Sequence, residues 1–195
     1  MRYPLNLRFK IAAIASQIYA TDADNRPVFY VKQKLFKLKE DIEIFTDDTK
    51  STKLYNLKAD RIIDFSPLYT LTDASGQTVG TVKRQGARSI WKASYIVQVA
   101  NASFTIRELN PWAKVGDALL TQIPILALIS GYVFHPKYGV FNQENNQIGE
   151  LDKLPAFFEG KYTLNATGMD NTDESTQRHF AALMMVVVLL ERIRG

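Results

Sequence analysis

The last segment of the chain is almost entirely apolar, and it restricts the possible folds more than any other feature. Phe180 to Leu190 form an uninterrupted run of eleven apolar residues. As a helix this run would be about 16 Å long, whereas a bilayer core is about 30 Å thick and requires about 20 apolar residues. A helix without a polar face must be surrounded by protein. The run therefore predicts a buried core helix, with a membrane segment or a contact between subunits as the alternatives.

Charged residues on both sides of the run indicate where this helix begins and ends. Asn171 is placed as the N-cap, with Glu174 three residues later in a capping-box arrangement. Asp173 and Glu174 before the run and Arg192 and Arg194 after it suit the helix dipole. Gly195 can terminate the helix.

An internal repeat relates two segments of the chain. Residues 65–84 align with residues 134–153 at a shift of 69 positions. The alignment pairs Phe65, Pro67, Tyr69 and Gly80 with Phe134, Pro136, Tyr138 and Gly149. Each copy reads as a strand, a turn and a return strand in which glycine separates apolar residues three positions apart. Because strand side chains alternate, this spacing predicts a β-bulge at Gly80 and at Gly149.

The remaining sequence has the same β character. Alternating apolar residues and turn residues predict roughly a dozen short strands, enough to close a barrel. The predicted fold is therefore mainly β: a closed antiparallel barrel of roughly twelve strands around the buried C-terminal helix, as a single domain over residues 1–195. Residues 118–134 resist this pattern; they predict a short helix capped by Asp117 and stopped near Pro124, with contact to a membrane as the alternative.

Motifs for catalysis and metal binding are lacking in the sequence. The chain has no cysteine and two histidines, and it contains no HExxH, GxSxG, P-loop or GxGxxG pattern. Asp22-Ala-Asp24-Asn25 begins like a calcium loop, but Arg26 stands where a third ligand belongs and no glycine follows at position six. We therefore expect a protein that is not an enzyme and that has no cofactor and no metal site.

The N-terminal segment MRYPLNLRFKIAAIA superficially resembles a signal peptide. Its apolar run of about five residues is shorter than the 7–15 that such a peptide requires. A first strand is the better interpretation. The expected location is the cytoplasm, with peripheral attachment to a membrane as an option.

Two basic stretches are the candidate binding residues. Lys83, Arg84 and Arg88 are expected in a loop between two strands, and Lys32 and Lys34 belong to the stretch VKQKLFKLK. A solvated surface with charged strand edges is the simpler interpretation. The functional interpretation is a site for an anionic headgroup or phosphate. A net charge of +4 is too small to indicate nucleic acid.

The pattern of strands around an apolar C-terminal helix resembles the tubby C-terminal-like superfamily, and in particular bacterial LURP-one-related proteins. The resemblance covers nearly the whole chain, through YPLNLRFKI, QIYATDADNRPVFYVKQKLFKLKED, IPILALISGYVFHPKYGV, PAFFEGKYTL and LMMVVVLLERIRG. It implies a helix that threads the barrel and no catalytic residues. Tubby proteins bind phosphoinositide headgroups and the related phospholipid scramblases are associated with calcium and lipid movement, but none of their site residues is carried over to positions here.

Two functions are compatible with these observations. The first is a non-enzymatic binding module that recognises an anionic phospholipid, or another acidic ligand, at a membrane surface. The alternative is a structural or regulatory scaffold that binds another protein.

Overall fold

Alternation of apolar and polar residues produces the strands of the structure. In the strand Ser94–Val99, for example, Tyr95, Val97 and Val99 are buried while Gln98 is exposed. The computed structural model describes residues 1–12, 15–34, 42–60, 67–85, 94–109, 136–156 and 160–194. In this part of the chain, twelve antiparallel strands form a closed barrel around one helix, which confirms the predicted fold.

The elements follow one another along the chain as twelve strands, a short 3₁₀ helix and a long α-helix. The strands are β1 (Leu5–Ala12), β2 (Ala15–Thr21), β3 (Pro27–Lys34), β4 (Ile42–Phe45), β5 (Lys53–Ala59), β6 (Leu68–Asp73), β7 (Thr78–Gln85), β8 (Ser94–Val99), β9 (Ala102–Glu108), β10 (Lys137–Phe141), β11 (Gln147–Leu154) and β12 (Gly160–Asn165). The 3₁₀ helix is Thr167–Met169, and the α-helix, α1, is Glu174–Arg194.

Each strand pairs with the next one in sequence, and the barrel closes where β1 pairs with β12. In this closing pair Leu5 lies opposite Leu164, and Leu7 lies opposite Tyr162. The up-and-down order gives the barrel two distinct ends. We call the end where α1 begins the top and the end where it finishes the bottom. The turns β2–β3, β4–β5, β6–β7, β8–β9 and β10–β11 all lie at the top.

The helix α1 runs through the barrel, as its apolar character predicted. Every residue from Phe180 to Leu190 is at most 3% exposed. The helix lies closest to β7 and β8, and the ring of Phe180 packs edge-on against Phe104 of β9 at 5.1 Å between centroids. The run is thus a core element.

The start of the helix differs from the prediction. Asp173, not Asn171, is the N-cap, because its Oδ1 accepts a hydrogen bond from the Thr176 N–H at 2.9 Å and its carbonyl accepts one from the Gln177 N–H at 3.0 Å. Asn and Asp cap helices about equally well, so residue type alone did not distinguish the two positions. The short helix predicted before Pro124 lies outside the described residues.

The two glycines of the repeat occupy equivalent positions, as predicted. Gly80 lies opposite Leu71 and Gly149 opposite Val140, and in each hairpin the register shifts by one residue immediately beyond that pair. The residue inserted by the bulge is Val79 in one copy and Ile148 in the other, and both side chains pack against the core. The bulge therefore turns an extra apolar side chain toward the core.

The same bulge occurs in two further hairpins that the sequence repeat did not include. The register of β2–β3 and of β4–β5 also shifts by one residue, which makes Val28 and Leu54 the inserted residues. Each of the four hairpins contains one turn residue with positive φ: Asn25 (60°), Lys50 (58°), Gly76 (88°) and Asn145 (64°). One hairpin design is thus used four times around the barrel.

A hydrogen-bonded group fixes the bottom end of α1. Glu191 accepts hydrogen bonds from the hydroxyl groups of Tyr95, at 2.5 Å, and Tyr138, at 2.7 Å. Burial raises the pKa of Tyr138, and the neighbouring charge of Glu191 raises it further. Both tyrosine hydroxyl groups donate to the one carboxyl group of Glu191. We call Tyr95, Tyr138 and Glu191 the bottom clamp.

The core role of α1 can be tested at Val187, which is fully buried. We expect Val187→Asp to lower the free energy of unfolding by about 3–5 kcal/mol because it buries an unpaired charge. Val187→Ala, which removes only two methyl groups, should cost about 2 kcal/mol. Urea unfolding followed by circular dichroism measures both. Equal costs for the two variants would contradict burial of this position.

The close packing at the repeated glycines predicts that neither accepts a side chain. A Cβ at Gly149 would lie 2.5 Å from the carbonyl oxygen of Asn165, and a Cβ at Gly80 would collide with the carbonyl oxygen of Gln98. Gly80→Ala and Gly149→Ala should each cost about 1–3 kcal/mol through overpacking. Thr70→Ala, at an outward strand position, serves as the control. An unchanged urea midpoint in either glycine variant would show that the backbone has room there.

The bottom clamp should contribute measurably to stability. We expect Glu191→Ala to cost about 3 kcal/mol, since hydrogen bonds to a charged group contribute about 1.5–3 kcal/mol each. Glu191→Gln keeps an acceptor oxygen for one tyrosine and should cost less. Urea unfolding of the two variants provides the comparison, and an Ala variant as stable as the wild type would mean that the clamp does not hold the helix.

Candidate functional site

A group of cations lies on the outer side of the barrel, on three of four neighbouring strands. On β1, Leu7 and Phe9 point into the barrel, so Arg8 and Lys10 point outward and are exposed. Lys161 on β12 and Lys32 on β3 are also exposed. We call Arg8, Lys10, Lys32 and Lys161 the basic wall.

Strand register determines how these cations are arranged. Arg8 lies directly opposite Lys161 on one side and Tyr19 on the other. Lys10 lies opposite Gln17, which in turn lies opposite Lys32. Directly opposed residues have Cβ atoms about 5 Å apart. The four cations therefore share one continuous surface on β12, β1, β2 and β3.

No carboxylate interrupts this surface within the four strands. The sequences of β12, β1, β2 and β3 contain five lysine or arginine residues and no aspartate or glutamate. The fifth cation is Lys34 at the end of β3. By contrast, on the neighbouring strand β4, Glu43 forms an ion pair with Lys53 of β5 at 3.3 Å. Positive charge is thus concentrated on one side of the barrel.

Aromatic side chains lie beside these cations. The ammonium group of Lys10 lies 5.3 Å from the ring centroid of Tyr19, within cation–π range. The Tyr19 ring packs against Tyr30 at 5.0 Å, and its hydroxyl donates to Gln17 Oε1 at 3.2 Å. Burial raises the pKa of Tyr30. Lys10 of the basic wall therefore packs against Tyr19, whose ring is held by its contacts with Tyr30 and Gln17.

The predicted binding residues do not form one group. Lys83 and Arg84 were expected in a loop, but this expectation is wrong because β7 continues to Gln85 and includes both. Strand alternation then separates them: Lys83 is exposed, whereas Arg84 is half-buried on the inward side with Val82. Arg88 lies outside the described residues.

The barrel also separates Lys83 from Lys32 and Lys34. Strand β7 lies six strands from β1 in either direction around the twelve-stranded barrel, and β3 belongs to the same side as β1. Lys32 is therefore brought together with Arg8, Lys10 and Lys161, and Lys34 stands two residues further along the same strand. Sequence reasoning missed these three partners because β1 and β12 stand at opposite ends of the sequence. The signal that was available is the absence of acidic residues from all four strands.

Carboxylates predominate at the top of the barrel. The top connections, residues 22–26, 46–52, 73–77, 100–101, 142–146 and 166–173, contain eight aspartate or glutamate residues and two lysine or arginine residues. Several of these carboxylates hold the turns. Asp73 accepts hydrogen bonds from the hydroxyl and N–H of Ser75, which lower its pKa, and from the N–H of Gln77.

Asp22 has the same structural role in the turn between β2 and β3. Burial opposes its ionisation, but hydrogen bonds from the N–H groups of Arg26 and Asp24 lower its pKa. In the described part of the chain, no three His, Cys, Asp or Glu side chains are grouped as metal ligands. The stretch that begins like a calcium loop is therefore a hairpin turn.

The barrel interior at the bottom is polar but occupied. Below the bottom clamp, the guanidinium of Arg192 lies 4.9 Å from the ring centroid of Phe9, which packs edge-on against Tyr162 at 5.5 Å. Burial lowers the pKa of Arg192 and raises that of Tyr162 to about 12. These groups hold the helix end in place.

Half-buried His179 lies at the top of α1, where its ring packs edge-on against Tyr55 at 5.6 Å. Burial lowers its pKa, although Asp73 and Asp173 act in the opposite direction. The residue thus belongs to the packing of the helix against β5. His135 lies outside the described residues.

Membrane insertion by a helix is a separate question from surface binding. Within the residues that the structure describes, no helix combines the length and the apolar character needed to cross a bilayer.

Comparison with known proteins finds a similarity to one family. The model of the LURP-one-related family matches residues 27–119, a segment that includes all strands from β3 to β9. No curated protein and no solved structure matches the chain significantly. Residues 27–119 of the chain are thus similar to the LURP-one-related family, which is in the tubby-like superfamily.

Proposed function

We propose that this chain is a non-enzymatic binding module that attaches to anionic phospholipid surfaces through the basic wall. The observation that carries the proposal is the composition of β12, β1, β2 and β3, which contain five cations and no carboxylate. The tubby-like barrel is generally a non-catalytic fold. The proposed location is the cytoplasmic side of a membrane, to which the protein binds peripherally.

The interior of the barrel is filled, which favours a binding site on its outer surface. The eleven residues Phe180–Leu190 fill the interior and are at most 3% exposed. Inward side chains from strands all around the barrel pack against them in one hydrophobic cluster. A ligand that entered the barrel would have to displace this core. Binding on the outside requires no such change.

The expected strength of binding follows from the number of cations. Each lysine or arginine near an anionic bilayer contributes about 1 kcal/mol. Four such residues contribute about 4 kcal/mol, close to a thousandfold at about 1.4 kcal/mol per tenfold. This attraction acts through water and weakens as salt shortens the screening length from about 10 Å at 0.1 M to about 3 Å at 1 M.

Flotation with phosphatidylserine-containing vesicles tests the proposal. We expect wild-type protein to bind at low salt and to dissociate at high salt. Replacing Lys10 and Lys32 by alanine should weaken binding about 30-fold, because two cations at about 1 kcal/mol each are removed. Circular dichroism should show that the variant remains folded, since both side chains are exposed.

The control removes the same charge from the other side of the barrel. Lys58 on β5 and Lys83 on β7 are both exposed, and their double alanine variant should bind vesicles nearly as well as the wild type. If this variant loses binding and the Lys10/Lys32 variant does not, the site lies instead on the side of the barrel that carries Lys58 and Lys83. Absence of vesicle binding would leave the protein-binding scaffold as the better hypothesis.

A further inference from the structure

We infer that the basic wall binds a bilayer according to the density of its negative charge and does not recognise the structure of one phosphorylated headgroup. In the bound state, the barrel lies on its side. This inference rests on the proposed function. It specifies the ligand as an extended anionic surface. It also specifies which side of the barrel faces that surface.

The cations of the basic wall are spread over an extended surface and do not surround one point. Lys161 and Lys32 lie on strands three positions apart around the barrel, which corresponds to about 14 Å at 4.8 Å per strand. Arg8 and Lys10 are two residues apart on one strand and therefore about 7 Å apart. These four residues project from a convex wall, so they diverge from one another. A headgroup site would instead require donors that converge on one point.

The backbone of the wall offers no converging donors either. Phosphate sites commonly use free backbone N–H groups in a loop or at the start of a helix. The backbones of β12, β1, β2 and β3 pair with one another in ladders that are interrupted at one bulge, at Val28 in the β2–β3 hairpin. Between Lys10 and Lys32, Oε1 of Gln17 already accepts a hydrogen bond from the Tyr19 hydroxyl. The cations that this surface offers to a ligand are therefore side chains of the strands, at separate positions.

The start of α1 does not provide a substitute. Asp173 caps this end and Glu174 occupies the first turn, so two carboxylates already stand where an anion would bind. The top connections carry eight carboxylates against two cations. An anionic bilayer is therefore repelled from the top of the barrel and attracted to the basic wall, which favours a side-on orientation.

Binding to vesicles of two compositions tests for headgroup recognition. One set contains phosphatidylserine, and the other contains phosphatidylinositol 4,5-bisphosphate at a fraction that gives the same zeta potential. We expect partition coefficients that agree within about twofold, and a parallel loss of binding to both vesicles in the Lys10/Lys32 double alanine variant. A preference of tenfold or more for either lipid at matched potential would overturn the inference.

Soluble inositol hexakisphosphate provides a second measurement. At constant ionic strength, we expect inositol hexakisphosphate to displace the protein from vesicles no better than sulfate does when both anions supply the same concentration of negative charge. Saturable one-to-one binding of inositol hexakisphosphate would reveal a headgroup site and would overturn the inference while leaving membrane binding intact. Failure to bind either kind of vesicle would instead reject the proposed function itself.

The orientation can be measured with single fluorescent labels, because the chain contains no cysteine. Gln17→Cys places the label between Lys10 and Lys32, and Thr81→Cys places it on β7 on the other side of the barrel. The two positions are matched, since each side chain is half-buried and bonds one neighbouring side chain. Vesicles should protect the label at position 17 from an aqueous quencher and leave that at position 81 accessible. Equal protection, or protection of position 81 alone, would overturn the side-on orientation.

Discussion

Burial of the apolar helix within the barrel is the constraint on which the rest of the structure depends. Eleven consecutive residues are covered on all sides, and a closed sheet provides such cover without leaving a polar strand edge against the helix. The barrel depends equally on the helix. A barrel of about eight strands is just filled by its own side chains, whereas twelve strands enclose a wider space. Helix and barrel therefore complete one core that neither forms alone.

An apolar helix has few features that determine its position along the barrel axis. Polar contacts at its two ends provide that information. At the top, Asp173 caps the first turn; at the bottom, Glu191 accepts hydrogen bonds from Tyr95 and Tyr138. Because these tyrosines belong to β8 and β10, the clamp couples the helix to separate strands. Hydrophobic burial thus supplies the stability, and the ends determine the alignment.

Local sequence patterns predicted the fold well, since its main features are local. The apolar run from Phe180 required burial, and the spacing around Gly80 and Gly149 required a bulge. The basic wall could only be predicted in part, because it depends on which strands become neighbours. Lys32 was a candidate from its basic stretch, but Arg8 and Lys161 meet only through the closing pair of β1 and β12. An alternating pattern also does not mark where a strand ends, and this caused the error at Lys83 and Arg84.

The simpler explanation of the basic wall is that its charges protect strand edges, and closure of the barrel argues against it. Lysines on strand edges often serve to prevent pairing with other sheets. At Arg8, strand β1 is paired on both sides, with Lys161 and with Tyr19, so the backbone there has no edge to protect. A surface kept for solubility alone would mix both signs of charge. The segregation of positive charge onto these four strands supports the proposed binding to an anionic surface.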